Sequence, residues 1–412
     1  MIAVVAGIYA LPSSALSQEA VLASSGSVVP TTPENRESED DIESAEAEQQ
    51  AGSFELSGSI DTYFRSSLGT TNDYYGGAYA PATAFADLKG FGLGMANLVA
   101  TYSGEKAGFT ADLVFGPRGR AAVFNSEQGI INQMYAFYKL SDKVVLNLGQ
   151  FNTFLGYEVI SPAVNFNYST SYMFSYGPFS HTGLRADIDL GGGLVAKLAI
   201  MNPSDLLEFN PVNTYTIGGQ IGHSNDNGGI WVNVLYGDQD GKLEAGDDPY
   251  VRDEDGNPVD FATSAGALFQ VDLTTGWNIT EKFYIGLNSS WQSIAAGQSF
   301  LAEDDLRDAD GDATSFFGVA LYPKVSLSEA FALGVRAEYL GVQKGHLGIF
   351  SLDDDGNGSV MEYTLSGNYV VGPLTLIPEF RIDMTSENSF RDADGKETNK
   401  MSSLSLAAVY RF

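Results

Sequence analysis

The 412-residue chain has no cysteine, so a disulfide framework and a thiolate metal site are both excluded. Cysteine avoidance suits an all-β chain exported through an oxidising periplasm. Histidine is nearly absent too: His181, His223 and His346 are the only three, and all fall in loops or at turn edges. A Ser–His pair needs its base beside the nucleophile; no such pairing, zinc spacing or phosphate-cradling glycine loop is visible, so the sequence reads as a non-enzyme. Positive charge is scarce, with 22 Lys and Arg against 52 Asp and Glu, a net charge of -30. Nucleic acid is a poor partner for such a surface, because a phosphate backbone needs a basic footprint. Long apolar runs are missing as well. The mean hydropathy is -0.06, and no window offers the roughly 18 uninterrupted apolar residues that a spanning helix needs.

Gly (46), Phe (25) and Tyr (21) are plentiful against 3 Trp. These residues suit strands, aromatic girdles and tight turns better than helices. The opening MIAVVAGIYALPSSALSQEA has an apolar run from Ile2 to Leu11, a breaking Pro12, and small residues at Ala15-Leu16-Ser17. Residues 1–17 therefore read as a signal peptide cleaved after Ser17, although the positively charged start is missing; a short buried helix is the other reading. Residues 18–52 lack aromatics, and Glu34 to Gln50 form an acidic run, expected to be a disordered periplasmic tether.

From residue 53 the period becomes two. Leu184, Ala186, Ile188 and Leu190 oppose Arg185, Asp187 and Asp189; Phe269, Val271 and Leu273 oppose Gln270, Asp272 and Thr274. Strict alternation over such stretches predicts strands with one apolar and one polar face. Seven short turns (near 104–108, 141–143, 191–193, 225–229, 278–282, 326–330 and 370–373) alternate with eight long polar loops, which implies about sixteen strands. Short turns on one side and long loops on the other are the pattern of a transmembrane antiparallel up-and-down β-barrel.

A sheet of that many strands closes into a barrel too wide for side chains to fill. The apolar face then meets lipid, where only a helix or a closed barrel satisfies every backbone polar group. The lumen wall is expected to carry Arg65, Arg185, Asp187, Asp189, Lys197, Asp272, Arg336, Glu338, Glu379 and Arg381. The last stretch, SLSLAAVYRF, alternates to the final residue, so this strand should pair both with 374–384 and with the first strand near 53–66. Its aromatic end, Tyr410 and Phe412, resembles the signal read by the barrel-assembly machinery. Pro378 in mid-strand removes a ladder donor.

One long loop, about 152–181, is unlike the others. Tyr157, Glu158, Phe166, Tyr168, Tyr172 and Tyr176 belong to a stretch far richer in aromatics than a polar external loop requires. In a barrel the available packing partner is the inner wall, so this stretch is expected to fold inward as a constriction loop; an external loop with its own small cluster is the alternative. The stretch from Leu148 to Arg185, with Gly156-Tyr157-Glu158, Asn165 to Ser169, Tyr176-Gly177-Pro178 and His181-Thr182-Gly183, resembles the β-barrel porins of the OmpL-like type found in Bacteroidetes-like bacteria. That resemblance implies an outer-membrane channel.

Four loops carry DxDG-like clusters. Asp308, Asp310 and Asp312, and Asp353 and Asp355, are weak candidates for structural calcium, since alternating Asp with Gly can wrap the ion; no metal is firmly indicated. Neither cluster completes the EF-hand pattern, and Asp-Gly is an ordinary turn former. Acidic loops around a mouth would concentrate cations. The reading is an outer-membrane porin passing small hydrophilic solutes or ions with weak cation preference, in outer-membrane lipid and in a possible homotrimer. The rival is a closed structural or adhesive barrel with residues 155–180 as its plug. A TonB-dependent transporter would need a plug domain far larger than 18–52.

Overall fold

The structure is a computed structural model and describes residues 52–72, 80–126, 129–210, 214–239, 267–295 and 313–412. The signal and tether readings of 1–51 lie outside the described residues, as do Asp308, Asp310 and Asp312. Sixteen strands close into one antiparallel barrel. They are β1 (Ser53–Leu68), β2 (Gly90–Ser103), β3 (Ala107–Phe115), β4 (Ile131–Ser141), β5 (Val144–Asn152), β6 (Ser180–Gly191), β7 (Leu194–Met201) and β8 (Thr216–Asn225). The circle continues with β9 (Gly228–Asp238), β10 (Ala267–Asn278), β11 (Phe283–Ile294), β12 (Thr314–Ser326), β13 (Phe331–Gln343), β14 (Gly358–Val371), β15 (Leu374–Thr385) and β18 (Lys400–Arg411). A two-residue hairpin, β16 (Phe390–Arg391) with β17 (Glu397–Thr398), stands apart in the last loop.

Every barrel strand pairs with its chain neighbour, and closure falls between β1 and β18. Ile60 faces Tyr410 there, and Phe64 faces Leu406. On its other side β18 pairs with β15, Leu374 opposite Tyr410. The final strand is therefore flanked on both edges, as its unbroken alternation requires. Phe412 adds a last exchange, its N–H and C=O both bonded to Gly58 at 3.0 Å.

The two faces differ as the period of two demands. Phe54, Leu56, Leu148, Leu198, Ile217, Ile221, Leu404 and Leu406 are exposed on the outside. Asp61, Asp112, Asp272, Arg336, Glu338, Glu362, Arg381 and Asp383 are buried on the inside. A water-soluble fold would reverse this; an apolar outer surface is what hydrocarbon requires. Aromatics ring both margins of the apolar band. Tyr236, Phe269, Trp291, Phe317 and Tyr339 lie toward the loop end, and Tyr102, Phe109, Tyr138, Phe283 and Tyr369 toward the turn end. From Phe283 to Trp291 the strand runs about 26 Å, or roughly 20 Å along the barrel axis at the usual tilt.

The two strand prolines sit where a ladder skips. The β14–β15 pairing jumps from Ser366↔Glu379 to Tyr369↔Leu376, and Pro378 lies in the gap, still paired to Leu406 on its other side. Pro323 does the same in β12, between Leu321↔Ala337 and Lys324↔Gly334. Each proline thus places its missing N–H where no ladder bond is made. Gly218 in β8 points inward. A Cβ there would meet the Phe154 ring and the Met201 and Leu235 side chains.

Candidate functional site

The wall of β10 to β15, β18 and β1 presents charged and amide side chains to the lumen, and residues 153–179 lie against them. The path starts at Asn152, the end of β5. Phe154 and Leu155 pack with Phe151, Ala199, Met201, Leu235 and Leu268. Gly156 turns the chain at φ 84°, a left-handed conformation that favours glycine. Its N–H then donates to Asp272 at 3.0 Å, and the Tyr157 N–H to Asn288 Oδ1 at 3.3 Å. The Tyr157 ring stacks on Tyr322 at 4.1 Å, and its hydroxyl meets that of Tyr284 at 2.9 Å.

The segment next descends to the turn end of the barrel. Arg411, one residue from the end of the chain, donates to the carbonyl of Ala163 at 3.3 Å. Phe166 lies over Gly334, near the start of β13, with Lys324 Nζ 5.6 Å from its ring. The return leg carries α2 (Tyr172–Tyr176), after α1 (Pro117–Ala122) in the loop between β3 and β4. Ser171 caps α2 by accepting the Phe174 N–H at 3.0 Å.

A buried irregular segment must find a partner for each backbone N–H, or each loses about 1–3 kcal/mol. Wall carboxylates supply those partners. Glu379 accepts the N–H groups of Tyr168 (2.9 Å) and Ser169 (3.2 Å), and Glu338 those of Tyr172 and Met173 (2.7 Å each). Glu158, within the loop, accepts from Ser171 at 2.7 Å. The tyrosine hydroxyls donate as well, Tyr168 to Asp61 at 2.6 Å and Tyr172 to Asp383 at 3.0 Å.

Two arginines answer the carboxylates. Arg336 pairs with Glu158 at 2.7 Å and Glu362 at 2.9 Å, and also donates to the Ser169 carbonyl. Arg381 pairs with Asp383 at 2.7 Å and donates to the Thr170 carbonyl at 2.8 Å. Both guanidiniums are buried, where an ion pair is stable only if its remaining donors and acceptors are also satisfied. Here the loop backbone provides that satisfaction.

The residues expected on the lumen wall thus divide. Asp272, Arg336, Glu338, Glu379 and Arg381 hold the loop. Asp187 forms a separate cluster on β5–β7, accepting from Arg185 and Lys197 at 2.9 Å each and from Asn147 at 2.8 Å. These three charged side chains keep about 15% exposure. Asp189 caps the β6–β7 turn through the Gly191 N–H, and Arg65 reaches the Asp87 carbonyl in the first loop. His181 departs from its expected place at a turn edge: it is a fully buried residue of β6, hydrogen-bonded to Thr153. Asp353 closes its own turn, Oδ1 accepting from the N–H groups of Asp355 and Asn357. Among the described residues no three acidic or imidazole side chains gather as metal ligands.

The sequence reading overlooked Arg118 and the inward glycines. Arg118, in α1, donates to the carbonyls of Ile160 (2.9 Å) and Tyr168 (3.2 Å) and lies over the Phe85 ring at 4.3 Å. It joins three loops, and Phe85, Ala122, Val123, Ile160, Phe179 and Leu207 pack together above it. Gly286 and Gly334 leave hollows for the rings of Tyr157 and Phe166, each of which a Cβ would meet within about 2.6 Å. Glycine on the inward parity of a strand is the signal that was available for these sockets. At Asp205, which accepts the N–H groups of Phe179 and Ser180 at the end of the loop, burial pushes the carboxyl up to about 6.

The family model described as "putative beta-barrel porin-2, OmpL-like" matches residues 53–412. The chain belongs to that family. Its barrel resembles solved outer-membrane proteins at low identity, which shows the porin fold alone. OmpT of Vibrio cholerae is 9% identical with a TM-score of 0.53, covering 90% of this chain and 100% of that one. The outer-membrane channel DcaP of Acinetobacter baumannii is 12% identical with a TM-score of 0.54, covering 88% and 98%. An anion-selective porin from Comamonas acidovorans is 10% identical with a TM-score of 0.54, covering 88% and 100%. No curated protein matches the sequence.

Proposed function

We propose that this OmpL-like barrel is an outer-membrane porin through which small hydrophilic solutes or ions diffuse passively, with residues 153–179 as a fixed constriction. The observation that carries the reading is the pairing of an exposed apolar wall with a charged interior against which one loop is bonded. Porins of the same fold include a trimeric form, that of Vibrio cholerae OmpT, which supports a homotrimer here. The mature chain would begin after Ser17 and carry 18–52 as a periplasmic tether, with the short turns facing the periplasm. No catalytic role is assigned. The net charge of -30 and the acidic turns at Asp353 to Asp355 and Asp392 to Asp394 support a weak preference for cations.

A second reading, a closed barrel with the same loop as its plug, is favoured by one contact: the Arg411–Ala163 bond takes the loop to the turn end of the barrel. Single-channel conductance of refolded protein, with and without residues 155–180, separates the two. Steady opening that grows on deletion supports the porin; silence relieved by deletion supports the plug; silence in both folded proteins rejects the channel. A reversal potential in a salt gradient that shows no selectivity removes the cation preference.

A further inference from the structure

We propose that the outside of the barrel carries, at its loop end, a binding cleft for the saccharide head group of a membrane amphiphile. A cleft of about 480 Å³ opens on the outer wall of β11 to β14, beside the segment that follows β15, within the range of roughly 300–1,000 Å³ found for small-ligand sites. Three rings form its floor, Trp291, Phe317 and Tyr339, each on the next strand round the barrel. The register sets Trp291 opposite Phe317 and Tyr339 opposite Val319, two residues from Phe317. The three side chains are 39–46% exposed, and Phe269 meets Trp291 in an edge contact at 5.9 Å.

Polar groups overhang this floor. The turn of Asp353 and Asn357 joins Gln343 and Glu387 around the opening. Gln343 receives the Ser315 hydroxyl on its Oε1, which leaves its amide N–H groups unengaged by any described residue. Asp353 uses Oδ1 on its own turn and keeps a second oxygen. The Ser359–Ser386 backbone bond at 2.8 Å ties the two overhanging segments together.

This chemistry selects its ligand. Sugar hydroxyls both donate and accept, and their C–H faces stack on aromatic rings; amides and carboxylates above exposed rings meet all three needs. An ammonium head would use the carboxylates but has nothing to accept from the amides. A phosphate head would need cations, and among the described residues no Lys, Arg or His lines the cleft. The rings belong to the loop-end aromatic girdle, which lies at head-group level in a bilayer. Acyl chains below would run onto the apolar wall beside Leu321 and Tyr363.

The inference uses only the part of the proposed function that stands the barrel in lipid, and its readout is independent of conduction. Full-length protein in phosphatidylcholine nanodiscs is titrated with dodecyl maltoside below its micelle concentration, and Trp291 emission is followed. The Trp291→Phe variant gives the background of Trp231 and Trp277. The expected result is a saturable change, at least about tenfold weaker for dodecyltrimethylammonium and dodecylphosphocholine, the scale of one or two lost hydrogen bonds. Tyr339→Ala and Asn357→Ala each weaken the maltoside response by about tenfold; Asn357 lies on an exposed turn and tests the site even where Tyr339→Ala fails to fold. Equal responses to the three head groups, or an unchanged Asn357→Ala, would overturn the proposal. So would cross-linking between copies through Ser386→Cys, which would make the cleft a subunit interface.

Discussion

Arg336 and Glu158 meet at 2.7 Å with both side chains sealed from solvent, although 178 residues separate them in the chain. One belongs to the wall and the other to the loop, so this ion pair is the contact most directly tied to the loop's inward position. Arg336 is held by Glu362 as well, which keeps the guanidinium compensated when Glu158 is lost.

Glu158→Ala therefore removes an ion pair and also the acceptor for the Ser171 N–H. Breaking a buried pair costs on the order of 3 kcal/mol. The expected outcome is a lower unfolding midpoint in lipid vesicles together with a larger or noisier single-channel current. Glu158→Gln, which keeps an oxygen for Ser171, should lose less. Equal behaviour of wild type and Glu158→Ala would mean that the loop is held elsewhere.

Arg118 holds the loop from the opposite side, its guanidinium donating to Ile160 and Tyr168 while lying against Phe85. A lysine cannot bridge two carbonyls with a planar fork. Arg118→Lys should thus resemble Arg118→Ala, with both showing more frequent current fluctuations in a barrel whose heat-modifiable electrophoretic mobility is unchanged. Full rescue by lysine would reduce the contact to one of charge alone.

The alternation of Leu184, Ala186 and Ile188 with Arg185, Asp187 and Asp189 was legible because a period of two is a local property. The final strand's two partners were legible for the same reason, since alternation ran to Phe412. Aromatics at Tyr157, Phe166 and Tyr172 marked the loop as a segment that needed something to pack on. Their partners were not legible. Tyr168 meets Asp61 across 107 residues and Tyr172 meets Asp383 across 211, and no local pattern encodes such distances. Arg118 stands in a long polar loop where no local pattern singles it out. Nothing local marks the inward glycines as sockets, because the ring that fills each one comes from another part of the chain.

Gly334 tests the socket idea. A Cβ at this position would lie 2.4 Å from the Phe166 ring, so Gly334→Leu must push the ring out of its hollow; overpacking of this kind costs typically about 1–3 kcal/mol. The loop tip should move and the conductance change. Phe166→Ala vacates the hollow, and the Phe166→Ala/Gly334→Leu double variant should recover conductance toward that of Phe166→Ala alone. Strictly additive effects in the double variant would show that the two positions do not interact.

Asp205 sets a pH dependence. Its folded carboxyl is raised to about 6 by burial, above the ordinary carboxylate value of about 4. The folded state then holds a proton that the unfolded chain has released, so stability is greatest below about pH 4 and falls as pH rises to about 6. Above that the ionised carboxylate still accepts the N–H groups of Phe179 and Ser180, but at the cost of a buried charge. Urea unfolding in vesicles between pH 4 and 7 should show this loss in the wild type. Asp205→Asn keeps an acceptor oxygen and cannot ionise, so its midpoint should be flat across that window apart from the contributions of other groups common to both proteins. A slope identical in the two proteins would assign the pH dependence to another group.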